Sequence, residues 1–432
     1  MRNPTADDLI AFLDASPTPW HAVAEAARRL AAAGVPRLRE EDSWALRPGQ
    51  SGFVTRGGTI AALRIPEGFS VRKPLPFHIM AAHTDSPCLR LKPRPPASLH
   101  EYRRWGVEVY GGILNNSWLD RDLGIAGRIF APGATAPRLV RWDEHPVRIP
   151  QLAIHLDRTV NEQGLVLNPE RHLVPVLGQG GGESLEARLE RAAGAPFSDL
   201  AFELCLYDLQ PAAYAGLGDE FVASGRLDNL AMCHAALTAF LDLPRPGASG
   251  GAGPTAGAIQ VVVLFDHEEV GSVSDQGARS NLLISLLERA ALSLGLDREA
   301  WLRLLPQSFL VSADMAHALH PNYPDRHDGE HFPLPNRGPV LKANANRRYA
   351  TDAATSARFA GWAARAGVRV QNFINRADLA CGSTVGPGVS ADLGIPAVDV
   401  GSAMLSMHSA REMCGADDPA LMTAVMREVF RG

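Results

Sequence analysis

Apolar positions near the start of the chain recur at helical spacing: Leu9, Phe12 and Leu13, then Val23, Ala26, Ala27 and Leu30. Ser16-Pro17-Thr18-Pro19 interrupts the period, and proline has no N–H to continue a helix, so the pattern predicts two helices joined by a turn. Residues 53–55 and 59–63 flank Gly57-Gly58, a hairpin signal. Residues 77–82 read as a buried strand that ends on His83-Thr84-Asp85. From about residue 90 to 222 the texture changes. Short β-type runs (107–110, 125–130, 139–142) alternate with turns, helical periodicity is weak outside 183–193, and 178–182 reads as a flexible glycine loop.

Helical spacing returns at 229–240. Residues 261–265, Val-Val-Val-Leu-Phe, form a continuous apolar run of the kind found in strands covered on both faces. A helix at 281–294, a strand at 309–312, a helix at 355–366 and a strand at 397–400 follow, while 244–257 reads as an exposed, mobile loop. Strands alternating with helices predict an α/β fold, a mixed sheet with helices on both faces. The division expected is a discontinuous α/β domain, 1–89 and 223–432, carrying an inserted β-rich domain, 90–222.

Composition narrows the class. With 46% apolar and 21% charged residues, 432 residues can bury a sizeable core. A net charge of −5 gives no global basic field to attract nucleic acid or anionic lipid, and the run Arg90, Lys92, Arg94, Arg103, Arg104 reads as a solvated or interface face. Five scattered cysteines, none spaced Cys-x-x-Cys, argue against a disulfide framework or a cysteine-built zinc site. The first 30 residues hold charges throughout, and no stretch approaches the ~20 apolar residues of a membrane helix. The expectation is a soluble, cytoplasmic protein without nucleic-acid or membrane partners.

Candidate chemistry gathers at element ends. His83 follows the strand 77–82, Glu268 and Glu269 follow 261–265, Asp314 follows 309–312, Asp228 opens the helix near 229, and His408 lies beyond 397–400. In open α/β sheets the site lies outside the carboxyl ends of the strands, so these segments can converge. Two imidazoles and several carboxylates suit a pair of divalent ions with one bridging carboxylate. The Glu268-Glu269 pair can supply both a ligand and a free base. Each residue alone also has an ordinary role: Asp228 as a helix cap, Glu268-Glu269 as a charged turn, His83 as a polar strand end. Spacing leaves Asp314 in competition with His317 and His320, and His327 and His331 add to that choice. There is no Gly-x-Ser-x-Gly elbow between a strand and a helix, no Gly-x-x-x-x-Gly-Lys-Ser/Thr loop and no His-Glu-x-x-His helix.

At these residues the chain resembles the aspartyl aminopeptidases of peptidase family M18. The blocks are Ala82-His83-Thr84-Asp85-Ser86-Pro87, Gly225-Arg226-Leu227-Asp228-Asn229, Asp266-His267-Glu268-Glu269-Val270-Gly271-Ser272, Ala313-Asp314-Met315-Ala316-His317-Ala318, Arg348-Tyr349-Ala350-Thr351 and Met407-His408-Ser409-Ala410-Arg411-Glu412. The resemblance implies a zinc-aminopeptidase-like fold and two divalent ions, zinc first, with manganese and cobalt accepting similar ligands. One ion would be held by His83, Asp228 and Asp314, the other by Asp228, Glu269 and His408. Glu268 would be the general base, and Asp85 would accept the other N–H of His83.

The substrates implied are peptides with an N-terminal Asp or Glu, read by Lys342 and Tyr349. His317 and His320 would lie on the substrate side or behind the ligands. His155, on an apolar strand at 152–156, would reach into a neighbouring subunit of a dodecamer built from dimers, with the inserted domain as the dimerisation module. The competing enzyme reading is a two-metal exopeptidase for neutral N-termini. A fold-only scaffold is disfavoured, because every ligand position and Glu268 are present.

Overall fold

The computed structural model describes residues 2–94, 100–243 and 257–432. The loop predicted at 244–257 lies, but for Gly257, outside the described residues. The two N-terminal helices are Pro4–Ala15 and Pro19–Ala32. Each begins on a proline, where the missing N–H would have no helical acceptor and the fixed φ suits the first turn.

The centre is an eight-stranded mixed sheet in the order Ser51–Arg56, Thr59–Arg64, Ile259–Phe265, Phe77–His83, Phe309–Ala313, Ala397–Gly401, Val340–Ala343, Gln371–Ile374. Its four middle strands, from Ile259–Phe265 to Ala397–Gly401, run parallel. Alternation divides their side chains between two cores. Met80, Ala82, Val262 and Leu264 face the helices Leu227–Leu241, Ala353–Arg365 and Asp418–Arg431. Ile79, Ala81, Val261 and Val263 face Leu282–Ser293, Arg298–Leu304 and Val385–Leu393. Burial on both faces explains why Ile259–Phe265 is apolar throughout.

A five-stranded antiparallel sheet, Val107–Tyr110, Cys88–Leu91, Ala201–Asp208, Leu123–Phe130, Arg138–Val147, has its own core around Trp105, Leu123, Ile129 and Leu204. The strand Ala213–Ala215 lies within the span 90–222 and Phe221–Ser224 straddles its end, yet both pair elsewhere. They extend a sheet continued by Glu412–Gly415, Ala403–Leu405 and Ala316–His317.

Two local expectations are corrected. Gly178 lies in the strand Val176–Gln179 opposite Arg103, so the predicted glycine loop begins later. Residues 152–156 form no strand. Their N–H groups close a turn, Leu156 to Ala153 and Asp157 to Ile154, and Leu152, Ile154, Leu156 and His155 are all exposed.

Candidate metal centre

Sheet register decides where the chemistry converges. Phe265 pairs with His83 in the parallel ladder, so the turn carrying Glu268 and Glu269 begins beside that imidazole. Asp314 leaves the strand on the other side of Phe77–His83. Asp228 enters from the start of Leu227–Leu241, where the next residue ties the helix to the sheet: Asn229 Nδ2 donates to the Ala313 carbonyl at 2.9 Å. His408 sits in the turn between Ala403–Leu405 and Glu412–Gly415.

The capping role does not apply to Asp228. Its extended backbone (φ −81°, ψ 105°) would allow a cap, but its buried Oδ1 accepts no hydrogen bond. Its two oxygens face two imidazoles: Oδ1 lies 3.5 Å from His83 Nε2, and Oδ2 lies 3.3 Å from His408 Nε2. Asp314 Oδ1 is 3.5 Å from the same His83 nitrogen, and Glu269 Oε2 is 3.5 Å from that of His408. Glu268 Oε2 stands further off, 3.9 Å from His83 Nε2. Among the described residues, three side-chain groups have ligand atoms mutually within 4.8 Å: His83/Asp228/Asp314, Asp228/Glu269/His408, and His83/Glu268/Glu269.

These side chains fit divalent cations. Asp228 Oδ1 and Glu269 Oε1 are buried with no hydrogen-bond partner, an arrangement that is costly without a compensating charge. Burial pushes the Glu268 carboxyl up to about 8, opposed by His83 and reinforced by Asp314, Asp85 and Asp228. Burial, with Asp228 next, pushes Glu269 well up too. The directions express crowded negative charge in a recessed space, and imidazole nitrogen with carboxylate oxygen is the donor set zinc accepts.

A surrounding layer aims the donors. His83 Nδ1 is 3.0 Å from the Asp85 backbone carbonyl and 3.4 Å from the Asp85 carboxylate. The contact of His83 with Asp85 thus runs mainly through the backbone carbonyl. The Asp85 carboxylate instead accepts the N–H groups of Glu268 and Glu269, both at 3.1 Å, and the Tyr110 hydroxyl at 2.6 Å. His408 Nδ1 meets the Gly112 carbonyl at 2.8 Å. Glu412 accepts the N–H of His408 at 2.7 Å and that of Asp228 at 3.1 Å. The sequence assigns Glu412 no role, and the only local signal of Tyr110 is an aromatic strand end before Gly111-Gly112.

The cluster lines a cavity of about 400 Å³ with His317, Lys342, Tyr349, Gly382, Ser383 and Thr384. Lys342 is buried, bonded to the carbonyls of Asp314 and Met315, with the Tyr349 ring 5.2 Å from its Nζ. His320 is not in this lining. It packs on Tyr323 in an adjacent cavity that meets the first at His317 and Met407. His155 is not in the lining either.

Residues 12–430 match the family described as aminopeptidase I zinc metalloprotease (M18). The chain belongs to the M18 family. Within it, the chain is 47% identical over 421 residues to a probable M18 family aminopeptidase 2 of Streptomyces coelicolor, covering 96% of this chain and 95% of that one. The M18 fold is shared with Ape4, solved in complex with Nbr1, at a TM-score of 0.88 and 38% identity over 99% of this chain and 85% of that one. It is shared also with the S. cerevisiae mApe1 dodecamer, at a TM-score of 0.82 and 28% identity over 99% and 96%. Among the described residues no helix is long and apolar enough to cross a membrane.

Proposed function

We propose that this M18 aminopeptidase holds two divalent ions and removes an N-terminal Asp or Glu from peptides. The observation that carries the reading is Asp228, whose oxygens divide between His83 and His408 and so join two donor sets. His83, Asp228 and Asp314 would hold one ion, and Asp228, Glu269 and His408 the other. Zinc, the metal in the family's description, is the first choice. Bound there, the ions would lower the pKa of a water and polarise the scissile carbonyl.

Glu268 comes no nearer to an imidazole than 3.9 Å, where Asp228, Asp314 and Glu269 each come within 3.5 Å of one, as suits a base that must keep its lone pairs free. It takes a proton from the attacking water and returns it to the leaving amine. The Asp85 and Gly112 carbonyls fix the two imidazoles with Nε2 turned to the cleft. The acidic side chain of the substrate faces the Lys342 ammonium and Tyr349, with His317 on the cleft wall and His320 further out.

We also propose a dodecamer built from dimers, with 1–89 and 223–432 as the catalytic domain and 90–222 as the dimerisation domain. The exposed apolar turn Leu152, Ile154, Leu156 supports a buried role in an assembly and would carry His155 to a neighbour's site. The assembly of the mApe1 relative agrees in kind.

Cleavage of Asp-, Glu- and Leu-anilides by the purified enzyme tests the specificity. Preference for the acidic pair is expected; preference for Leu would assign the site to neutral N-termini.

A further inference from the structure

The edge strand Val107–Tyr110 of the five-stranded sheet ends against the metal centre, and the residues after it run past Glu269 and His408. Tyr110 is buried, and its hydroxyl donates to Asp85 Oδ2 at 2.6 Å. That same carboxylate receives the Glu268 and Glu269 N–H groups, so one hydroxyl stands behind the whole Glu268-Glu269 turn. The Tyr110 ring is itself clamped, with the Arg90 guanidinium 3.7 Å above its centroid.

Gly111 follows in the left-handed region (φ +70°). A Cβ there would stand 3.1 Å from Glu269 Cβ and 3.3 Å from Pro87, so the backbone passes where a side chain would press on the turn. Gly112 then accepts the Nδ1 hydrogen of His408 at 2.8 Å, and Leu114 N–H reaches the His408 carbonyl at 3.0 Å.

We propose that Tyr110, Gly111 and Gly112 form a positioning strap through which the five-stranded sheet sets the Glu268-Glu269 turn and the His408 ring. This rests on the reading of Glu268 as base and His408 as ligand. Tyr110 acts through Asp85 and touches neither substrate nor metal. Its hydroxyl restrains a turn whose own hydrogen bonds to Asp85 are long, and displacement of a base by a fraction of an ångström slows proton transfer without changing how substrate binds. The strap also makes the inserted sheet part of the active centre.

Tyr110→Phe deletes the hydroxyl alone. Expected are a kcat, per folded molecule, lower by roughly 10–100-fold, a KM within about twofold, and two metal ions per chain by mass spectrometry. A structural role alone would lower the unfolding midpoint and leave kcat per folded molecule at the wild-type value; that result overturns the proposal. If Tyr110→Phe does not fold, Gly111→Ala is read in its place, by the same split of kcat from KM and by metal content. Wild-type kcat in the folded variant again overturns the proposal. Glu268→Gln is assayed in parallel. Activity surviving in that variant would defeat the reading of the base, whereas its loss beside an unimpaired Tyr110→Phe would defeat the strap alone.

Discussion

Lys342 holds Asp314 from two sides: its Nζ lies 2.8 Å from the Asp314 carbonyl and 3.3 Å from the Asp314 carboxylate. A second carbonyl, that of Met315, takes another of its three donors. The third donor faces the Asp314 carboxylate, so a substrate carboxylate would share the ammonium with Asp314. Beside Lys342 and His83, the Asp314 carboxyl is held well below the usual range despite its burial.

Lys342→Met removes both the charge and the ties to the Asp314 backbone. Activity on Asp- and Leu-anilides should fall together, with the Asp:Leu ratio of kcat/KM falling by roughly another tenfold. A fall with an unchanged ratio would confine Lys342 to holding Asp314.

His78 predicts an acid limit to stability. Buried at the start of Phe77–His83, it places Nδ1 2.6 Å from the Val429 carbonyl, takes a hydrogen bond from Arg358 at Nε2, and packs edge-on to Trp362. Burial first, and Arg358 with it, lower its pKa to about 4 against an ordinary 6.5, although the Val429 carbonyl opposes them. The folded chain thus binds fewer protons than the unfolded chain between those values. This contribution is complete above pH 6.5 and is lost as pH falls through 4. Between pH 7 and 5 the loss is on the order of 2 kcal/mol. Thermal unfolding of His78→Gln across that interval should show a shallower decline than wild type; equal declines would remove His78 as the cause.

What the sequence shows and what it hides have physical reasons. The run 261–265 is legible because both faces of its strand are buried, and the hairpin is legible because Gly57 adopts φ +57° between Arg56 and Thr59. The element ends that converge were legible from parallel strand order. Spacing alone could not choose Asp314 over His317, because the choice depends on the side chain reaching His83, 3.5 Å away. The apolar run 152–156 misleads: without a sheet partner its backbone turns on itself. Tyr110 and Glu412 carry no local pattern, since their partners Asp85, Asp228 and His408 come from distant segments.

In the proposed mechanism the adjacent carboxylates divide the work, Glu269 on metal and Glu268 on the proton. Glu268→Gln, measured for turnover of the Asp-anilide and for metal per chain by mass spectrometry, tests it most directly. Turnover lower by roughly 100-fold or more, with two ions per chain still bound, is expected. Turnover close to wild type, or loss of an ion together with turnover, would contradict it.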